Sequence, residues 1–180
     1  LSALGEGDVL FLAGSIPSSM ADDAYQKIME MLDSKGIRIV VDATRDLLMK
    51  VLPYHPFLIK PNNHELGEIF GVELKTRESV VPYAKQLQKK GAQNVLVSMA
   101  GKGAVLLAED GSVYESPAPK GKLINAVGAG DSMVAGFTAG YMQKGSYEHA
   151  FKMGVSTGSA SAFSENFATK EEVEAIYKTL

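Results

Sequence analysis

The sequence predicts an α/β fold in which helices cover both faces of a mostly parallel sheet, as three αβα layers. Short apolar segments alternate with amphipathic helical patterns along the chain. Such segments are typical of strands that are buried on both sides, as parallel strands are when their connecting helices pack on the sheet. The chain has 180 residues, of which 46% are hydrophobic, so a domain with a sizeable core is expected.

The first three predicted elements form a βαβ unit. Residues 9–13 are an apolar segment followed by a turn at residues 14–17, which predicts a buried strand. A helix is predicted next, with Ser18 or Ser19 as its cap, and a second strand at residues 37–41. The inner face of this helix is expected to contain Ala24, Ile28, Met31 and Leu32.

The same alternation continues to the end of the chain. The tripeptide at residues 109–111, Glu-Asp-Gly, is a hairpin signal between two of the later strands. No repeat or linker interrupts the series, so residues 1–180 are expected to belong to one domain. Further strands are predicted at residues 57–59, 94–98, 103–108 and 112–116, and further helices at residues 45–51, 63–70, 79–90, 129–143, 147–163 and 170–177.

Composition excludes several classes of protein. Cysteine is absent, which rules out a disulfide scaffold, a thiolate metal site and a cysteine nucleophile. The net charge of -3 provides no basic surface for nucleic acid. Apolar segments such as residues 9–13 are far shorter than the ~20 residues that cross a bilayer. We therefore expect a cytoplasmic protein without a nucleic-acid or membrane partner.

Five places in the sequence are candidates for the functional site. Ligands of parallel α/β sheets bind beyond the carboxyl ends of the strands. The residues that follow a predicted strand or lead into a predicted helix are residues 14–15, Asp42, residues 60–65, residues 98–103 and residues 128–131.

The most informative of these segments is Asn-Ala-Val-Gly-Ala-Gly-Asp-Ser at residues 125–132. Gly128 and Gly130 permit a sharp turn, so that unpaired N–H groups converge at the start of a helix and hold an anion. A carboxylate at Asp131 is then well placed to accept a proton from a hydroxyl that attacks a phosphoryl group. On spacing alone, Asp131 as an ordinary helix cap remains an equal alternative.

Two better-known glycine motifs are excluded. A dinucleotide-binding fingerprint requires glycine at position 133, where Met133 stands. The P-loop pattern Gly-x-x-x-x-Gly-Lys-Ser/Thr does not occur in the sequence. A nucleotide would therefore be bound by a motif other than these two.

Residues 125–132 resemble the signature of the phosphofructokinase-B family of ribokinase-like sugar kinases, whose Gly-Ala-Gly-Asp stretch supplies an anion hole and a catalytic base. Three more segments resemble motifs of this family, in the family's order. Lys-Pro-Asn-Asn-His-Glu at residues 60–65 is similar to its Asn-x-x-Glu motif, Ser-Met-Ala-Gly-Lys-Gly at residues 98–103 to its nucleotide-contacting loop, and Gly-Ser-Ile-Pro at residues 14–17 to a turn near the substrate. Within this family, the amino-acid sequences of these segments are most similar to those of bacterial 1-phosphofructokinases.

The resemblance implies transfer of the ATP γ-phosphoryl group to the C6 hydroxyl of fructose 1-phosphate. It implies that Asp131 is the base and that Glu65, with Asn62, orients a hydrated Mg²⁺ ion. A first-turn carboxylate is the alternative role for Glu65, and a tight turn is the alternative for the loop. The implied catalytic residues are Asp131 with Gly128, Ala129 and Gly130, and the three amides from Ala129 to Asp131 would form the anion hole for the transferring phosphoryl oxygens. The nucleotide would be contacted by Ser98, Met99, Ala100, Gly101, Lys102, Gly103, Gly130, Asp131 and Asn62.

The resemblance also implies that residues 1–180 are the single C-terminal portion of a ribokinase-like carbohydrate kinase domain. The N-terminal part of the sheet and the β-lid over the sugar would then lie outside the chain, and a homodimer is expected for the full-length protein. Little kinase activity is expected of the isolated 180 residues. A tagatose-6-phosphate kinase and a non-catalytic nucleotide-binding module remain alternatives.

Two further sets of residues have expected roles in packing. The histidines His55, His64 and His149 lack the spacing of a zinc site, so structural or surface roles are expected. Small residues in the helix at 147–163 permit close packing against another helix. The family resemblance suggests instead that this helix borders the adenine ring.

Overall fold

A computed structural model of the chain describes residues 1–14, 16 and 21–180, and these residues have the predicted α/β architecture. The strands lie in the sheet in chain order, β1 to β6, and β1 to β4 are parallel. The strands are β1 (Val9–Ala13), β2 (Arg38–Asp42), β3 (Leu58–Ile59), β4 (Asn94–Ser98), β5 (Ala104–Leu107) and β6 (Val113–Ser116). The α-helices are α1 (Ala24–Leu32), α2 (Arg45–Val51), α3 (Asn63–Phe70), α4 (Arg77–Lys89), α5 (Ala129–Lys144), α6 (Tyr147–Ala162) and α7 (Lys170–Tyr177).

Helix α1 is the element that differs most from its prediction. It begins at Ala24, and the predicted caps Ser18 and Ser19 lie outside the described residues. Met31, predicted on the inner face, is 63% exposed, whereas Met29 is buried. Apolar residues occur in adjacent pairs in this helix, at residues 28–29 and 31–32. Two neighbouring faces of the helix are therefore almost equally apolar in sequence. Packing selected the face that contains Met29.

The described chain divides into two compact units. The first unit comprises residues 1–97 and 107–112, and the second comprises residues 98–106 and 113–180. In the first unit, the parallel strands supply a core of aliphatic side chains that are at most 1% exposed. These core residues include Val40, Val41, Leu58, Ile59, Val95 and Leu96.

The pairing of β1 with β2 determines which strand ends are neighbours in the first unit. Ala13 is aligned with Asp42, so the carboxyl ends of the two strands lie side by side. The hydroxyl of Tyr25 on α1 donates a hydrogen bond of 2.8 Å to the carbonyl oxygen of Ala13. Phe11 in β1 is 45% exposed, as expected of a residue in a strand at the end of the strand order.

In the second unit, α5 and α6 pack at a distance that only small residues permit. A Cβ atom on Gly136 would lie 2.7 Å from the carbonyl oxygen of Met153. A Cβ atom on Gly158 would lie 3.0 Å from the carbonyl oxygen of Ala129. Close helix packing therefore accounts for the small residues of α6. None of the helices in the described residues is both long and apolar enough to span a membrane.

His149 joins α6 to α7. Its Nδ1 atom lies 2.7 Å from the hydroxyl of Tyr177, and the two rings meet edge to face. Its Nε2 atom lies 3.4 Å from the Oε1 atom of Gln143. Partial burial, together with the charge of Lys144, lowers the pKa of His149 below its usual value. This geometry agrees with the structural role expected for this histidine.

The low pKa of His149 predicts a pH-dependent stability. Because the unfolded chain binds this proton more readily than the folded chain, the free energy of unfolding should decrease as the pH falls below about 6.5. Urea unfolding at several pH values between about 5 and 8 measures this slope. The variant His149→Gln should have a smaller slope in this range. An identical slope in the variant would contradict the assignment.

Candidate active site

The glycine segment forms a turn at the start of α5, as predicted. Gly128 occupies the N-cap position with φ 76° and ψ -2°, a left-handed conformation that glycine adopts without strain. The Oδ1 atom of Asn125 accepts a hydrogen bond of 3.0 Å from the amide of Val127. The amides of Ile124 and Asn125 both donate to the carbonyl oxygen of Ala162. The turn is therefore held by its own side chain and by the end of α6.

The first amides of α5 are not equivalent. The amide of Ala129 donates a long hydrogen bond of 3.3 Å to the carbonyl oxygen of Ala126, and that of Ser132 donates to Gly128. Within the described residues, the amides of Gly130 and Asp131 have no hydrogen-bond acceptor. Of the three amides expected in the anion hole, these two are available to a ligand.

Asp131 lies in the first turn of α5 and is exposed. The N-cap is Gly128, and no amide of the described residues donates to the Asp131 carboxylate, so this carboxylate does not cap the helix. Its carboxylate has neither an ion-pair nor a hydrogen-bond partner in the part of the chain that the structure describes. An exposed carboxylate beside two unpaired amides is the arrangement that a proton acceptor near a bound anion requires.

The loop at residues 98–103 is a tight turn that contains a short 3₁₀ segment, Ala100–Lys102. The amide of Met99 donates a hydrogen bond of 2.8 Å to the carbonyl oxygen of Gly103. Met99 is 2% exposed, so its side chain belongs to the core, and its carbonyl oxygen accepts a hydrogen bond from the amide of Lys102. Ala100, Gly101 and Lys102 are exposed. Fewer residues of this loop are therefore exposed than the six that were expected to contact the nucleotide.

Asn62 and Glu65 form a reciprocal capping box at the start of α3. The Oδ1 atom of Asn62 accepts hydrogen bonds of 2.9 Å from the amides of His64 and Glu65. The Oε2 atom of Glu65 accepts a hydrogen bond of 2.8 Å from the amide of Asn62. The first-turn role that the sequence left open for Glu65 is therefore present. Its other carboxylate oxygen is not part of the box.

An ion pair at the strand ends was not identified from the sequence. The Nζ atom of Lys60 lies 3.4 Å from the Oδ2 atom of Asp42, and the Lys60 side chain is only 9% exposed. Asp42 is the last residue of β2 and Lys60 follows β3 directly. Their pairing depends on the register that aligns Val41 with Ile59, which the sequence does not show. The buried ammonium group of Lys60 therefore belongs to the residue two positions before Asn62 of the Asn-x-x-Glu motif.

The expected substrate-side turn is described only in part. Gly14 has φ 84°, and its amide donates a hydrogen bond of 3.0 Å to the carbonyl oxygen of Asp42. Ser15 and Pro17 lie outside the described residues. The start of this turn is therefore attached to the end of β2.

Phe167 is a second feature that sequence reasoning missed. A Cβ atom on Gly128 would lie 2.9 Å from the Cε1 atom of Phe167, so the ring lies directly over the glycine turn. The ring is nevertheless 75% exposed. No motif indicates this contact, because 39 residues separate the two positions in the sequence.

A cavity of about 330 Å³ in the first unit lies beside α3. It is open and bordered by the helix and the turn that follows it. None of Asn62, Glu65 and Lys60 lines it. The lining residues are Asn63, His64, Gly67, Glu68, Gly71, Val72, Glu73 and Leu74.

Comparison with known proteins gives a consistent result. The sequence matches the pfkB family of carbohydrate kinases over residues 1–173. It is 51% identical over 172 residues to 1-phosphofructokinase of Bacillus subtilis, covering 96% of this chain and 56% of that protein. It is 31% identical over 169 residues to D-tagatose-1-phosphate kinase of Bacillus licheniformis, covering 93% of this chain and 55% of that protein.

A solved structure shows the same fold. Phosphofructokinase-2 from Escherichia coli, in complex with fructose-6-phosphate, matches with a TM-score of 0.88 and 27% identity, over 98% of this chain and 57% of that chain. The chain thus spans little more than half the length of the relatives it matches. The family match covers nearly all of the present chain, including the turn at Gly128 and the loop at residues 98–103. The chain therefore belongs to the pfkB family of carbohydrate kinases.

Proposed function

We propose that the protein that carries this chain transfers the γ-phosphoryl group of ATP to the C6 hydroxyl of fructose 1-phosphate, giving fructose 1,6-bisphosphate and ADP. The observation that supports this most is the Asp131 carboxylate, which is exposed and unpaired among the described residues beside two available amides. A module that only bound nucleotide would have no use for an acidic group at the anion hole. Membership of a kinase family supports the same reaction.

Asp131 accepts the proton of the attacking hydroxyl in this proposal. The sugar oxygen forms a bond to the γ-phosphorus while the bond to the bridging oxygen of ADP breaks. Negative charge spreads over the transferring phosphoryl oxygens in the loose transition state. The amides of Gly130 and Asp131 are already oriented by the helix, so they stabilise this charge without reorganisation.

The nucleotide is assigned to the loop at residues 98–103 and to the amides at the start of α5. The exposed backbone of Ala100, Gly101 and Lys102 provides the surface for this contact. The buried side chain of Met99 and the buried Gly103 fix the shape of the loop from below. Asn62 is proposed to contribute from the start of α3.

Glu65 is the residue proposed to hold Mg²⁺ through water. The described residues contain no cluster of three or more histidine, aspartate or glutamate side chains that could hold a metal ion. One carboxylate oxygen of Glu65 is used by the capping box. A single remaining oxygen suits Mg²⁺, which usually keeps several waters and binds through one or two carboxylates and substrate phosphates. When bound, this ion would neutralise phosphate charge.

The variant Glu65→Gln separates these two roles of the residue. Glutamine also completes a capping box, so the free energy of unfolding should change by less than about 1 kcal/mol. Loss of the charge should raise the Mg²⁺ concentration needed for half-maximal activity several-fold. Urea unfolding and a Mg²⁺ titration of the initial rate measure the two effects. An unchanged Mg²⁺ requirement would show that Glu65 serves only the helix.

The acceptor is the part of the proposal with a specific competitor. One relative is named 1-phosphofructokinase and another D-tagatose-1-phosphate kinase, and both names refer to a sugar with its phosphate on C1. These names favour a C1-phosphorylated ketohexose over the tagatose 6-phosphate considered from the sequence. The higher identity, 51% against 31%, favours fructose 1-phosphate.

A coupled assay of ADP formation tests the proposal. The protein that carries residues 1–180 is supplied separately with fructose 1-phosphate, tagatose 1-phosphate, tagatose 6-phosphate and fructose 6-phosphate. The highest kcat/KM is expected for fructose 1-phosphate. A higher value for either tagatose phosphate would change the assigned substrate, and no transfer to any of the four would overturn the kinase proposal.

We also propose the remaining properties that the family resemblance implied. Residues 1–180 would form the C-terminal portion of a longer kinase domain, and the full-length protein would be a cytoplasmic homodimer. The share of the relatives that the chain spans, 55–56%, supports the first of these. Sedimentation of the full-length protein tests the dimer.

A further inference from the structure

An aromatic ring covers the turn at which α5 begins. A Cβ atom on Gly128 would lie 2.9 Å from the Cε1 atom and 3.4 Å from the Cζ atom of Phe167. Phe167 is 75% exposed, and the neighbouring Val127 is 83% exposed. Two large apolar side chains are therefore exposed at this turn, although burial would normally remove such groups from water, and the two available amides and Asp131 follow Gly128 in the chain.

The backbone around Phe167 holds the ring in this place. The carbonyl oxygen of Ala162 accepts hydrogen bonds from the amides of Ile124 and Asn125, at 2.9 and 3.1 Å. The amide of Ala168 donates a hydrogen bond of 3.4 Å to the Oγ atom of Ser161. The segment that follows α6 is thus attached before and after the ring, on the same side as the turn.

The reaction proposed above has a competing acceptor. Water and a sugar hydroxyl are both oxygen nucleophiles, and a carboxylate accepts a proton from either. Attack by the sugar hydroxyl yields the sugar bisphosphate and ADP, whereas attack by water yields inorganic phosphate and ADP. Closing a site against water suppresses such hydrolysis and strengthens the interactions of the amides with the phosphoryl oxygens.

We propose that the Phe167 ring covers the transferring phosphoryl group and excludes water from the side of the site formed by the turn at Gly128. This inference rests on the proposed function, because it assigns the phosphoryl group to the amides of Gly130 and Asp131. The ring supplies no chemical group to the reaction. The ring favours transfer to the sugar hydroxyl over transfer to water.

The variants Phe167→Ala and Phe167→Leu test this role in the protein that carries residues 1–180. The measured quantity is the rate of ATP hydrolysis without sugar phosphate, divided by the rate of transfer to fructose 1-phosphate. Because the side chain is exposed, neither variant should unfold the protein. Phe167→Ala should raise this ratio roughly five- to tenfold, and Phe167→Leu should restore most of the original value. An unchanged ratio in Phe167→Ala would overturn the proposal.

A fluorescence experiment locates the ring relative to the nucleotide. The sequence contains no tryptophan, so Phe167→Trp introduces a single reporter. The non-hydrolysable analogue AMP-PNP should shift its emission more than ADP does, since only the analogue carries a third phosphate. Equal shifts with both nucleotides would place the ring at the base or ribose and overturn the proposal. Met142→Trp, about 20 Å along α5, is the control and should respond to neither.

The two proposals fail in different ways. If the unsubstituted protein transfers phosphate while Phe167→Ala leaves the ratio unchanged, the kinase assignment stands and the covering role is wrong. If the unsubstituted protein transfers phosphate to none of the four sugar phosphates, both are overturned.

Discussion

Replacing Asp131 with asparagine should lower kcat for phosphoryl transfer by about 10²–10⁴-fold, the usual contribution of a positioned proton acceptor. Asparagine has almost the same size but accepts no proton under these conditions. The amides of Gly130 and Asp131 belong to the backbone and are retained in the variant. ATP affinity should therefore change little, so that the loss appears in kcat rather than in the KM for ATP.

Steady-state kinetics and an equilibrium nucleotide titration measure these two quantities. Asp46→Asn is the matched control, because Asp46 is also an exposed carboxylate in the first turn of a helix. Removal of a helix-dipole interaction alone should leave kcat nearly unchanged in that variant. Retention of more than about a tenth of the original kcat in Asp131→Asn would indicate a different base.

Replacing Gly103 with alanine should lower the free energy of unfolding by about 3 kcal/mol or more. Gly103 has φ 95° and ψ -139°, a conformation that side-chain-bearing residues rarely adopt. A Cβ atom there would lie 1.9 Å from the carbonyl oxygen of Ser116, so the backbone would have to move. Urea unfolding measures the loss, and the slope of the transition shows whether cooperativity is preserved.

Gly101→Ala is the control in the same loop. A Cβ atom on Gly101 would have no neighbour within 4 Å, so the free energy of unfolding should change by less than about 1 kcal/mol. If the loop contacts the nucleotide as proposed, this exposed substitution should instead weaken ATP binding. Equal destabilisation by the two variants would contradict the geometry described for the loop.

The motifs around α3 and α5 could be interpreted from the sequence because their residues lie within one turn of a helix. Asn62 and Glu65 are three residues apart, and the capping box requires this spacing. Gly128 and Asp131 have the same separation, which places the carboxylate in the first turn of α5. Helix periodicity converts such spacings into geometry before any tertiary contact forms.

The inner face of α1 and the role of Met99 could not be predicted in the same way. Two faces of α1 were nearly equal in hydrophobicity, and only packing distinguished Met29 from Met31. Met99 is followed by three exposed residues, Ala100 to Lys102, yet it is only 2% exposed itself. The order of apolar and polar residues near a tight turn does not predict which of its side chains faces the core.

The sequence alone determined the alternation of strands and helices, the glycine turn at the start of α5 and the carboxylate that follows it, since each depends on residues close together in the chain. Tertiary structure decided which distant residues meet. The pairing of Lys60 with Asp42 depends on strand register, and the position of Phe167 over Gly128 depends on the path of the chain after α6. Such contacts join segments that the sequence separates, so their energies depend on packing rather than on local spacing.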